Sequence, residues 1–499
     1  MQSRRSRALI SLTGVSFVAI LSLPAQTSST SSPQPKVTTS VRAPISPEEE
    51  AARKKLAADT EADHADMMRQ LGIASLRPGA DADQSSPHAA NFDDTKVAPY
   101  PPPPDPLVFP NGKLVKTPEQ WWKKRRPQIV KLLESEMYGK IPASVPKVTW
   151  SVVKSKDDVL GGTPSHITRL KGHVDNAIDP AVTVDIEVIL ALPANATVPV
   201  PVIVAFDFLP NDFGDAPPPP RLASSVARLG ARPQGPTPRE QVLARGYGYA
   251  AISTNSIQAD NGAGLTTGII GLSNRGARRT PEQWGVLRAW AWGGSRLLDY
   301  LETNPAVNAK LVGTFGHSRY GKAALVAMAF DTRFAIGYIS SSGEGGAKLS
   351  RRDFGEKVEN LTRNGGYHWM AGNFLKYGEP LTRNDLPVDS HDLIALCAPR
   401  PIFISAGSSE AGDAWVDPKG SFLAAVAAGD VYRLLGAKDL GTSLYPTMLT
   451  EVDPGEIAFR QHDQGHTPIP NWPFFLDFAE RELPKVAQLE KKAEAPKAD

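Results

Sequence analysis

Between residues 198 and 406 the chain repeats one element that limits its folding options severely: a short run of apolar residues, followed by a longer segment of helical character. The runs at 198–206, 247–253, 311–315, 334–340 and 401–406 are too short for helices and apolar throughout, as a strand covered on both faces must be. Residues 182–192 instead alternate in hydrophobicity, the pattern of a half-buried antiparallel strand. Strands separated by helices imply a mostly parallel, doubly wound sheet with helices on both faces, an α/β three-layer sandwich. Two helix openings carry an N-cap hydroxyl, a proline at the first helical position and a glutamine three residues after the cap. Thr117-Pro118-Glu119-Gln120 predicts a helix through Trp121 to about Tyr138, and Thr280-Pro281-Glu282-Gln283 one carrying Trp284, Leu287, Trp290, Leu297 and Leu298.

The ends of the chain read differently. Arg4, Arg5 and Arg7 precede an apolar run over 8–23 that is broken by Ser11, Thr13, Gly14 and Ser16, with small residues following. Residues 1–26 are therefore expected to be a removed signal peptide rather than a membrane anchor, which places the mature protein outside the cell or in a periplasm. Residues 27–104 are expected to be a low-complexity tether with a peripheral helix from Glu48 to Leu71, 105–485 the catalytic domain, and 486–499 a charged tail. The loop 211–238, rich in Pro, Gly and Arg, is a binding loop or a surface excursion. With 55 basic against 53 acidic side chains the net charge is only +2, so no long-range field gathers nucleic acid or an anionic membrane. The single cysteine, Cys397, excludes an intrachain disulfide and reads as a buried structural thiol.

Chemistry concentrates at Gly316-His317-Ser318-Arg319-Tyr320-Gly321-Lys322. A short strand enters a glycine-bounded turn that holds a serine, and a helix leaves it. Such a nucleophile elbow, the mark of an α/β-hydrolase, lifts the hydroxyl above the sheet and puts the next backbone N–H beside the substrate carbonyl. Here the second glycine falls three residues after Ser318, and Tyr320 takes its usual place; an ordinary strand-to-helix turn is the bland alternative. A serine needs a base, and the hydrolase order of serine, acid, histidine points to the loop Gln461-His462-Asp463-Gln464-Gly465-His466 before the last helix. His466 is preferred to His462 because a Gly-His step gives the imidazole an exposed perch. For the acid, Glu410 is chosen, three residues past Gly407 at the end of a late strand, with Asp413 and Asp417 as rivals in the same loop.

The Gly-x-Ser-Arg-x-Gly-Lys pattern resembles the signature of the glucuronoyl esterases, carbohydrate esterase family fifteen. The likeness extends from about Asn91 to Leu483 through Trp121-Trp122, Ala414-Trp415-Val416-Asp417-Pro418 and Gly465-His466-Thr467. It implies that Arg319 donates to the oxyanion, that Lys322 hydrogen-bonds sugar hydroxyls, and that Trp415 offers an apolar face to the pyranose. Many fungal members carry the acid just after the strand that follows the elbow; Ser341 stands at that position here, with Glu344 three residues on as a competitor. Bacterial members with a later acid favour Glu410. The implied reaction is hydrolysis of esters of (4-O-methyl)glucuronic acid, as in lignin–glucuronoxylan cross-links, by a monomer using neither metal nor organic cofactor. An acetylxylan esterase and a non-catalytic polysaccharide-binding relative are the competing functions, since an elbow fixes the reaction class and not the acyl group.

Overall fold

The computed structural model describes residues 46–214 and 235–494. The expected signal peptide, most of the tether, the middle of the loop 211–238 and the last five residues lie outside the described residues. The described residues from Ala51 onward form one compact unit, and Ser46–Glu50 belong to a second, shorter unit. In the shorter unit, Ser46 Oγ accepts the Glu49 N–H (3.1 Å) at the start of helix α1, Pro47–Leu71.

Among the described residues ten strands form one sheet in the order β1-β2-β3-β5-β4-β6-β7-β8-β10-β9. The expected strands are present as β3 (Asp185–Pro193), β4 (Val202–Asp207), β5 (Gly248–Ser253), β6 (Gly313–His317), β7 (Ile336–Ser340) and β8 (Ile402–Ala406). From β5 through β4, β6, β7 and β8 to β10 (Ile457–Gln461) every pairing is parallel, and these central strands are buried on both faces. β3 pairs antiparallel with β5 and with β2 (Thr163–Val174), which pairs in turn with β1 (Val148–Leu160). β9, Glu451–Val452, closes the opposite edge in antiparallel sense.

The first helix forms where its cap predicts it, with Thr117 Oγ1 accepting the Gln120 N–H (3.2 Å). It runs to Tyr138 through two wide turns, Trp121–Arg125 and Glu134–Tyr138. The first lies just before Pro127, which has no N–H to complete a regular ladder. Thr280-Pro281-Glu282-Gln283, by contrast, makes only a turn. Gln283 exchanges side-chain bonds with Asn274 (3.0 and 3.2 Å) and bridges Lys140 through its backbone, so the helix begins two residues after Trp284 as α4, Val286–Leu301, counting the short helices Arg126–Leu133 (α2) and Pro238–Ala244 (α3) before it. Helices α5 (Arg319–Phe330), α6 (Ser390–Ala395), α7 (Pro418–Leu434) and α8 (Trp472–Glu494) complete the frame. Residues 486–494 thus continue the last helix rather than starting a separate tail.

Residues 51–104 are not a tether. Met67 is buried, His64 Nε2 bonds the Thr362 carbonyl (2.8 Å), and Tyr367 donates its hydroxyl to Asp63 (2.8 Å). Arg77 spans Glu359, Glu379 and the carbonyls of Tyr377 and Leu381. Met67 and Ile73 join the main core with Met68, Leu71 and Leu76 against it, and hydrogen-bonded polar groups fasten the rest of the segment, so its polar composition reads as loose. Among the described residues no helix is long and apolar enough to cross a membrane.

Candidate active site

β6 ends at His317, and Ser318 takes φ 59° and ψ −131°, a left-handed backbone conformation that costs a non-glycine residue about 1–3 kcal/mol. The surroundings hold it there: Ser318 N–H donates to the Ser340 carbonyl (2.9 Å) and its own carbonyl accepts from Lys322 N–H (3.2 Å). The displaced glycine pattern has a steric cause. A Cβ on Gly316 would lie 2.0 Å from the Tyr320 carbonyl oxygen, and one on Gly321 2.9 Å from the Ser340 carbonyl. Glycine is needed where the turn crosses its own strand and where the helix meets β7. Between them the Tyr320 ring points into the core against Trp290 (5.5 Å between centroids) and Phe208 (5.8 Å). The half-buried Ser318 therefore stands at the C-terminal end of the central strand, with the first-turn N–H groups of α5 beside it.

The loops after β8 and β10 lock together backbone to backbone. Ser408 N–H donates to the Gln464 carbonyl (2.7 Å), His462 N–H to the Ala406 carbonyl (3.1 Å), and a Cβ on Gly407 would fall 2.2 Å from the Gly465 carbonyl oxygen. Within this clamp His466 Nδ1 meets Asp413 Oδ1 at 2.6 Å. Asp413 is fully buried, and its other oxygen accepts from Ser341 Oγ (2.7 Å) and Gly407 N–H (2.6 Å). Burial alone would push its carboxyl up; the His466 bond and charge, Ser341 and Gly407 outweigh that and hold it below the usual carboxylate value. An ionised Asp413 fixes the proton of His466 on Nδ1 and leaves Nε2 as the acceptor.

Glu410 does not fill this role: its side chain is exposed, and the carboxylate on His466 belongs to Asp413. Residues 409–413 form one wide turn that Gly412, at φ 111°, swings inward, so Asp413, the second carboxylate along it, faces the imidazole. Asp417 caps α7 and binds Arg352. His462 is buried as a loop staple, accepting Gln464 N–H at Nδ1 (3.1 Å) and donating from Nε2 to the Thr467 carbonyl (2.7 Å). His317, bonded to Ser340 Oγ (3.2 Å), packs its ring 4.3 Å from that of His466 and places the base beside the elbow. Burial, then the neighbouring His466, push the His317 pKa down to about 3, so it stays neutral. Among the described residues no group of His, Cys, Asp and Glu side chains is arranged to hold a metal ion.

Residues 279–436 match the family described as fungal glucuronyl esterase. A carbohydrate esterase from an unknown prokaryotic organism is 33% identical over 418 residues, covering 80% of this chain and 93% of its own. The solved structure of a family-fifteen glucuronoyl esterase from Teredinibacter turnerae is 44% identical, covers 85% of this chain and 99% of its own, and superposes with a TM-score of 0.76. The chain belongs to the glucuronoyl esterases of carbohydrate esterase family fifteen. A further member of known structure, from Solibacter usitatus, is 34% identical, covers 78% of this chain and 100% of its own, with a TM-score of 0.68.

In this glucuronoyl esterase the position of the fungal acid is kept as a support. Ser341, itself at φ 44°, donates its hydroxyl to Asp413 instead of offering a carboxylate to the histidine. Glu344 is turned away into the interior, bonded to Lys348 Nζ (3.0 Å) and Ser350 Oγ (2.5 Å), with burial raising its pKa. Lys322 is buried as well: its ammonium donates to Glu356 (2.8 Å) and the Glu344 carbonyl (2.5 Å) and lies 5.4 Å over the Trp369 ring. Glu356 is thus the part of this pair that sequence reading missed. Trp415 lies half-buried two residues past Asp413, its carbonyl accepting the Glu356 N–H (2.7 Å). Arg319, 39% exposed at the elbow, pairs through Nη1 with Asp260 (2.8 Å), a second residue that no local motif announces.

Proposed function

We propose that this chain is a serine esterase that hydrolyses esters of (4-O-methyl)glucuronic acid, with Ser318 as nucleophile, His466 as base and Asp413 as the orienting acid. The observation that carries the reading is the Asp413–His466 bond of 2.6 Å beside a serine in the strained elbow conformation. Curated relatives named 4-O-methyl-glucuronoyl methylesterase, such as that of Cerrena unicolor at 29% identity over 345 residues, support the acyl group.

In the reaction Ser318 Oγ attacks the ester carbonyl carbon while its proton passes to His466 Nε2. The carbonyl oxygen becomes an oxyanion, met by the backbone N–H of Arg319 and by its guanidinium, whose charge strengthens the bond over that of a neutral amide. Collapse expels the alcohol, which takes the proton from His466 and leaves glucuronoyl-Ser318. Water then attacks the acyl carbon, giving its proton to His466; the second tetrahedral species releases the glucuronic acid, and the proton returns to Ser318. Asp413 remains ionised throughout and stabilises the imidazolium.

The half-buried indoles of Trp369 and Trp415 are suited to the pyranose of a sugar acid, and the buried Lys322–Glu356 pair lies behind the Trp369 ring. The mature protein acts outside the cytoplasm as a monomer on glucuronoxylan or lignin–carbohydrate esters. A panel of benzyl glucuronate, methyl 4-O-methylglucuronate and acetylated xylan tests the acyl group. Turnover of the first two well above the third is expected; the reverse order would make the chain an acetyl esterase.

A further inference from the structure

Asp260 lies in the loop after β5, far from the elbow in sequence, yet its carboxylate is the contact that fixes Arg319. One oxygen is ion-paired with Arg319 Nη1 (2.8 Å); the other accepts from Trp369 Nε1 (2.6 Å) and His368 Nε2 (3.1 Å). We propose that Asp260, held by Trp369 and His368, is a positioning residue that aims the Arg319 guanidinium at the oxyanion formed on the Ser318 adduct. The proposal rests on the oxyanion role given to Arg319 above.

Three features of the geometry support it. First, an arginine side chain with 39% exposure has many rotamers, and ordering it during each turnover would weaken its differential contact with the transition state. A salt bridge made before substrate arrives removes that motion. Second, only Nη1 is paired with Asp260, so the rest of the guanidinium fork remains for the substrate. Third, the carboxylate is satisfied on both oxygens. Burial would raise its pKa, but the His368 bond, the Arg319 charge and the Trp369 bond together hold it ionised. Sharing its charge with Trp369 and His368 also leaves more of the Arg319 field for the developing oxyanion. His368 is itself buried, and that burial lowers its pKa, so it serves as a neutral donor.

A double-mutant cycle separates positioning from mere structural support. Steady-state kinetics on benzyl glucuronate are compared for the full chain, Asp260→Asn, Arg319→Ala and the double variant. Loss of one oxyanion donor costs about 10²- to 10³-fold in kcat in comparable sites. Arg319→Ala is expected to fall in that range, and Asp260→Asn to lose at least about tenfold in kcat with KM changed less than about threefold. In the Arg319→Ala background, Asp260→Asn is expected to cost nothing further. Independent, multiplying losses would overturn the proposal, as would an Asp260→Asn enzyme with unchanged kcat. If Arg319→Ala itself keeps full kcat, the oxyanion reading fails and the proposal with it. His368→Gln, whose amide nitrogen can still donate to Asp260, guards against misfolding: it should keep most of the kcat that His368→Leu loses, and equal losses in the two would count against the arrangement.

Discussion

Replacing Asp413 by asparagine preserves size and shape and changes only which atoms carry protons. In the native site Oδ2 accepts two hydrogen bonds, from Ser341 Oγ and Gly407 N–H, while Oδ1 accepts from His466 Nδ1. The Gly407 N–H cannot be turned into an acceptor, so the asparagine carbonyl takes the Oδ2 place and its NH2 group faces His466. Nδ1 must then accept, which moves the imidazole proton to Nε2, the atom that has to receive the proton of Ser318. The wrong tautomer in an otherwise intact triad costs about 10⁴-fold in kcat, or about 5.5 kcal/mol of transition-state stabilisation. The assay is release of benzyl alcohol from benzyl glucuronate by Asp413→Asn, with Glu410→Gln as control. Glu410→Gln should stay within about twofold of the unaltered chain, as an exposed side chain away from such features does. An Asp413→Asn enzyme within about tenfold of the parent, or a Glu410→Gln enzyme as inactive as expected for Asp413→Asn, would refute the reasoning.

His317 has a pKa pushed down from 6.5 to about 3. The folded state therefore binds fewer protons than the unfolded one in this window, and the stability tied to neutral His317, complete above pH 6.5, is lost as pH falls toward 3. Denaturant midpoints of His317→Phe should decline less steeply than those of the parent over that range; parallel declines would contradict this. Arg77→Ala removes bonds to two carboxylates and two carbonyls, and the unfolding free energy should drop by about 2–3 kcal/mol in urea titration, whereas a change below about 0.5 kcal/mol would show that 51–104 is not fastened as described. Gly316→Ala puts a Cβ 2.0 Å from the Tyr320 carbonyl oxygen, so kcat on benzyl glucuronate should collapse even in any fraction that folds; near-native kcat would refute the steric account of the elbow.

How much of this was legible in the sequence depended on how local each feature is. The elbow is a contiguous pattern, and the apolar runs of β4 to β8 follow from burial on both faces, so both could be read directly. His466 could be singled out because a glycine precedes it and a closing helix follows. β10 was not, because its five residues end in Arg460 and Gln461, whose polar groups are buried against Asn471, Phe474 and Gly407 rather than exposed. The acid proposed here, Asp413, lies three residues past Glu410: counting from Gly407 cannot show how the turn at 409–413 winds, and the positive φ of Gly412 decides which carboxylate turns inward. Asp260 and Glu356 carry no local signal at all. They meet Arg319 and Lys322 only because the fold brings separate loops over the C-terminal ends of β5, β6 and β7. Ser341 read as a possible lost acid, whereas its hydroxyl supports the acid that came from another strand.

The most direct test of the account is the rate of benzyl alcohol release from benzyl glucuronate by the purified chain and by its Ser318→Ala variant. Turnover by the first and a loss of about 10⁴-fold or more in the second is the predicted result. No turnover by the parent, or undiminished turnover without the Ser318 hydroxyl, would contradict the assignment of a glucuronoyl serine esterase.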